Sequence, residues 1–134
     1  MERTFKRSYS ALDELFHFLD GILEAENVGE DDAFTARLAL EEVFTNMVKY
    51  STSKISSITV RIQSVGNDLV LELEDQEAES FDPVRYPAPD LKATLEERRP
   101  GGLGLHLVRS LVDSIDHDYV DRRNIVTLRI KLAR

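Results

Sequence analysis

Apolar positions recur at helical spacing in three places along the chain, and at strand spacing between and after them. Leu12, Leu15, Phe16, Leu19, Ile22 and Leu23 share one face of a predicted helix over residues 11–25. Ser10 before it, with Asp13 three residues on, approaches a capping box. A second helix is predicted from about residue 33 to 50, capped by Asp31 or Asp32, with Ala36, Leu40, Val43 and Met47 as its buried stripe. Residues 57–64 and 69–75 alternate instead: Ile58, Val60 and Ile62 in one, Leu69, Leu71 and Leu73 in the other. Val65-Gly66-Asn67-Asp68 joins them as a hairpin turn. A third helix is expected over residues 103–115, with Leu105, Val108, Leu111, Val112 and Ile115 facing inward. Tyr119-Val120, the turn Arg122-Arg123-Asn124 and residues 125–132 read as a closing hairpin, and residues 4–9 as a short edge strand.

Half-buried strands beside amphipathic helices predict an α+β fold. It is a two-layer sandwich, with a mixed, mostly antiparallel sheet covered by helices on one face. A length of 134 residues suits a single domain, taken here as 1–134. Residues 76–100 hold all four prolines, and a loop this long in a compact domain is usually functional. It is expected to be a lid, over about 76–102.

Charge narrows the function. A net charge of −8 argues against direct nucleic-acid binding, which needs a basic surface. No apolar run approaches a membrane span, and no cysteine is present for a disulfide or thiolate metal site. His17, His106 and His117 lack companion ligands for zinc. These features fit a cytoplasmic protein without membrane contact.

Three constellations carry candidate chemistry. Glu42 and Asn46 stand four apart on the second helix, so they stack on one side of it. Together they can hold an oxygen-loving cation such as Mg²⁺ and orient a hydroxyl, or they are a solvated helical face. Asp75 ends an apolar strand, either as a charged terminus or as an acceptor for an exocyclic amine such as adenine's. Gly101, Gly102 and Gly104 interrupt a charged segment just before the third helix. Bare backbone at a helix start suits an anion, with Arg98 and Arg99 upstream to reach a terminal phosphate. The bland alternative is a flexible loop and cap. No Gly-Lys-Ser/Thr follows, so this is not a P-loop.

In order and interval, these blocks resemble the ATP-binding domain shared by histidine kinases, gyrase B-type ATPases and anti-sigma factor serine kinases. Glu42-Val43-Phe44-Thr45-Asn46 looks like the family's N box. Asp75 with Phe81-Asp82-Pro83 looks like its first glycine box, and Gly101-Gly102-Leu103-Gly104-Leu105 like its second. The short chain and the lid ending at Arg98-Arg99-Pro100 are most similar to the anti-sigma factor serine/threonine kinase branch.

The resemblance implies ATP and Mg²⁺ as cofactors, with Asn46 ligating the metal and Glu42 as general base for a serine hydroxyl or a water. It implies Asp75 on the adenine amine, and Gly101, Gly102, Leu103, Gly104 and Leu105 on the phosphates. Arg98 or Arg99 would stabilise the γ-phosphate, and Thr127 would supply a hydroxyl near adenine. The implied partners are a sigma factor, an antagonist with a phospho-accepting serine, and a second copy docked through the N-terminal strand and first helix. One departure stands out. The family's first box reads Asp-x-Gly, whereas Asp75-Gln76 is followed here by Glu77-Ala78. A second alignment puts Gln76 and Ala78 in those places. That departure admits a second function, a regulatory binding module of the same fold with weak or no catalysis. A third reading is a detached catalytic domain of a histidine kinase.

Overall fold

The computed structural model describes residues 1–50, 57–76 and 102–133. Its elements are β1 (Glu2–Lys6), a 3₁₀ turn (Tyr9–Ala11), α1 (Leu12–Ala25), α2 (Glu30–Tyr50), β2 (Ser57–Val65), β3 (Asp68–Asp75), α3 (Gly102–Leu111), β4 (Ser114–Val120) and β5 (Arg123–Lys131). The strands form one sheet in the order β1-β2-β3-β5-β4, and every pairing among the described strands is antiparallel.

Strand alternation divides the sheet into a dry face and a polar face. Phe5, Ile58, Val60, Ile62, Leu69, Leu71, Leu73, Val126, Leu128 and Ile130 are buried on the helix side. Leu15 and Leu19 of α1, and Ala36, Ala39, Leu40, Val43, Phe44 and Met47 of α2, join the same core. Phe44 meets Phe5 edge to face, with ring centroids 6.4 Å apart. The opposite face carries a charge ladder. Arg61 lies 2.6 Å from Glu2, 2.6 Å from Glu72 and 3.7 Å from Glu74, and Arg123 reaches Glu74 at 3.1 Å.

Local chemistry sets how α2 enters this core. Asn27 adopts φ 54° directly after the C-cap of α1. Val28 N donates to Leu23 O (3.0 Å) and Asn27 N to Glu24 O (3.1 Å), the paired bonds of a Schellman motif. The chain therefore reverses in a few residues and α2 follows at once. Glu30, Asp31 and Asp32 fill its first turn, where the helix dipole favours negative charge.

Several boundaries differ from the sequence expectation. The first strand is Glu2–Lys6 rather than residues 4–9, because Tyr9–Ala11 coil into the 3₁₀ turn. Ser8, not Ser10, is the capping side chain, accepting from Ser10 N at 3.2 Å. The second helix starts at Glu30, so Asp31 and Asp32 lie inside it. The third ends at Leu111, and Ile115 lies on β4 opposite Leu128. The last hairpin turns at Asp121-Arg122, both with positive φ (51° and 63°), and Arg123 and Asn124 belong to β5. Two consecutive left-handed residues match the twist of a two-residue hairpin, but side chains disfavour that conformation. Arg122→Gly is expected to raise stability by about 0.5–1 kcal/mol, read from the denaturant midpoint at constant slope.

Candidate functional site

α2 brings its polar pair to the start of α3. Glu42 is half-buried beside the core residues Val43 and Phe44, and Asn46, one turn on, is 2% exposed. A Cβ built on Gly104 would overlap the Glu42 carboxyl group. The carboxyl thus occupies the space that any side chain at position 104 would need. Leu105 and Val108 seat this end of α3 in the core. Burial raises the pKa of Glu42 first, the neighbouring charge of Glu41 raises it further, and Lys49 partly offsets both. A carboxyl group moved in that direction is better matched to proton abstraction near neutral pH.

Asp75 occupies the last position of β3. It is fully buried on the helix side, in register with Ile58 of β2 and Asn124 of β5. Arg7 approaches one of its oxygens only. Nε lies 2.9 Å and Nη2 2.5 Å from Oδ1, and Nη2 also donates to Gln76 O at 3.1 Å. Oδ2 is buried and has no hydrogen-bond partner among the described residues. Burial pushes the Asp75 carboxyl up to about 6, against the pull of Arg7.

An orphaned buried acceptor is what an exocyclic amine would satisfy, and a bare Gly104 lets the Glu42 carboxyl pack against the start of α3. Asp75 therefore has the donor-accepting character that the amine end of an adenine nucleotide would need. Among the described residues no cluster of three His, Cys, Asp or Glu could hold a metal by itself. A magnesium ion here would be shared with phosphate oxygens, as is usual for that ion.

The structure does not bring every expected residue together. Thr127 lies on β5 opposite Glu72 and Asp116, on the polar face of the sheet and away from Asp75. Strand alternation gives the helix side to Val126 and Asn124 instead. Arg98, Arg99 and Gly101 lie outside the described residues, as do most of the lid and Phe81-Asp82-Pro83. Gly102 and Leu103 open α3. Reading the sequence missed two polar residues on the helix side. Arg7 follows Phe5 by two positions and so shares its face, a signal present in the sequence. Asn124 was expected in a turn, yet it is fully buried and accepts from His117 Nε2 at 2.9 Å. A groove of about 410 Å³ lined by Met1, Phe18, Ile22 and Ile62 contains none of these residues.

The profile of the histidine kinase-like ATPase domain matches residues 5–130. The chain belongs to this family. Among curated relatives, the serine/threonine-protein kinase BtrW of Bordetella bronchiseptica is 27% identical over 97 residues, covering 71% of this chain and 68% of its own. The serine-protein kinase RsbW of Staphylococcus epidermidis is 29% identical over 107 residues, covering 72% of this chain and 65% of its own. The sensor histidine kinase YxdK of Bacillus subtilis is 29% identical over 96 residues, but only 28% of its length is matched. In fold, the Acinetobacter baumannii histidine kinase AdeS superposes on the whole chain with a TM-score of 0.54 at 16% identity, over 68% of that structure. This agrees with a histidine kinase-like ATPase sandwich.

Two outcomes test the geometry. Gly104→Ala displaces a mobile carboxyl rather than backbone. It is expected to leave the melting temperature within a few degrees while lowering nucleotide turnover at least tenfold. For Asp75 the folded pKa, about 6, is raised above the ordinary 3.8. Its protonation therefore favours the fold fully below about pH 3.8, and that contribution is lost as pH rises through about 6. Asp75→Asn should remove this segment of the stability-versus-pH curve, measured by denaturant unfolding between pH 4 and 7.

Proposed function

We propose that this histidine kinase-like ATPase domain is an ATP-dependent serine/threonine protein kinase acting as an anti-sigma factor. In this reading it phosphorylates a serine of an antagonist protein and sequesters a sigma factor, as a cytoplasmic homodimer. The observation that carries the proposal is the Glu42 carboxyl packed on Gly104, with its pKa raised, in a family whose matching relatives include a serine/threonine-protein kinase and a serine-protein kinase. Among the described residues no helix is long and apolar enough to cross a membrane.

The chemistry asked of the residues is modest, because phosphoryl transfer depends mostly on positioning and charge neutralisation. Glu42 accepts the proton of the serine hydroxyl as the bond from Oγ to the γ-phosphorus forms. The bond from that phosphorus to the bridging oxygen breaks and ADP leaves. Asn46, Gly101, Gly102, Leu103, Gly104 and Leu105 are assigned to the phosphate end. Arg98 and Arg99 are assigned to the γ-phosphate, and Asp75 to the adenine amine. Mg²⁺, held by Asn46 and the phosphates, would supply charge neutralisation.

Glu42→Gln is expected to cut phosphorylation of an antagonist domain at least a hundredfold while leaving sigma-factor binding within twofold. Glu41→Gln removes a like charge that raises Glu42. The acid limb of the rate profile should therefore move to lower pH. Kinase assays with Mg²⁺-ATP and pull-down of both partners check these outcomes. The departure at Glu77-Ala78 favours a second reading, a binding module without catalysis. Under that reading Glu42→Gln changes neither measurement, and calorimetry with ATP gives no heat.

A further inference from the structure

Among the described residues, the ion pair of Arg7 and Asp75 is the most deeply buried, with side chains 5% and 0% exposed. Its geometry is lopsided. An arginine facing a carboxylate commonly forks across both oxygens. Here Nε and Nη2 both land on Oδ1, and the remaining reach of Nη2 goes to the Gln76 carbonyl. The second oxygen is left buried and unpartnered among the described residues.

We propose that Arg7 is a positioning residue for base recognition, holding Oδ1 of Asp75 so that Oδ2 is presented as a charged acceptor to the exocyclic amine of adenine. This rests on reading the site as a nucleotide site, and adds to it the residue that directly follows the edge strand β1. The surroundings support it. The register neighbours of Asp75 are Ile58 on β2 and Asn124 on β5, both uncharged. Gln76 follows it, Glu74 points to the opposite face, and His117 on β4 is one strand further, bonded to Asn124. Arg7 is therefore the cation that favours the carboxylate form where burial opposes it. Guanine carries a carbonyl where adenine carries the amine, so a charged Oδ2 repels it.

The test measures ATP and GTP affinity by calorimetry from pH 5 to 8 in the full chain. Its variants are Arg7→Met, Arg7→Lys, Asp75→Asn and the double variant Arg7→Met with Asp75→Asn. Arg7→Met is expected to weaken ATP binding at pH 7 roughly tenfold or more. It should also shift the pH at which affinity is lost upward and narrow the preference for ATP over GTP. Arg7→Lys should restore part of the affinity. In the Asp75→Asn background Arg7→Met should have no further effect, because Arg7 acts through that carboxylate. The proposal is overturned if Arg7→Met binds ATP within twofold of the parent with the same pH profile. An equal loss in the Asp75→Asn background also overturns it, since that marks a purely structural role. If Arg7→Met does not fold, Arg7→Lys decides: an unchanged pH profile and an unchanged ATP-over-GTP ratio overturn the proposal. A parent chain that binds no nucleotide overturns the site reading itself, and this proposal with it.

Discussion

The burial of α2 is the constraint on which the other elements depend. This helix of 21 residues shares the dry face of a five-stranded sheet with α1 and must still touch α3. It does so with small and large residues in alternate layers: Ala36 and Ala39 allow close approach, while Leu40, Phe44 and Met47 fill the space between. Once those positions are seated, the azimuth of Glu42 and Asn46 is no longer free. They emerge where the helix turns from the sheet towards α3, and Gly104 is the point of contact. Packing thus decides where the chemistry can sit.

The cost is electrostatic. Glu42 is half out of water and Asp75 wholly so, and burial raises the pKa of both. An unpartnered buried acceptor costs about 1–3 kcal/mol. Among the described residues the fold tolerates this at one position, Asp75 Oδ2, in the region assigned to ligand. Elsewhere the described polar groups are arranged conservatively, with Thr59 and Glu74 bonded to Gln76 on the polar face. Carboxyl groups with pKa values raised by burial are a common sign of a binding site.

Much of this was legible in the sequence because the periodicities are strong. The alternation in β2 and β3 and the 3.6-residue repeat in α1 and α2 gave the elements, their faces and the class of fold. The order of Glu42, Asn46, Asp75 and the glycines gave the family. What was not legible depended on tertiary contact. The third helix kept its amphipathic pattern through Ile115, but pairing with β5 captures the chain from Ser114 onward. Asn124 looks like a turn residue by type, yet the two left-handed residues before it complete the turn and leave it in the strand. Thr127 was placed by family resemblance, and strand alternation alone, counted from Val126, assigns it to the other face. Arg7 carried the right parity but no partner could be named for it, since its carboxylate is far along the chain.

That separation has a consequence for how the domain assembles. Arg7 and Asp75 are 68 positions apart, and among the described strands β1 pairs with β2 alone. Contacts of such long range close late, because the loop entropy between them must be met first. The helix pair and the β2–β3 hairpin join residues near in sequence and can form earlier. The acceptor at Asp75 therefore acquires this cation only when the chain's N-terminal segment joins the sheet. Until the first strand docks, that end of the sheet holds a carboxyl group with no countercharge from Arg7.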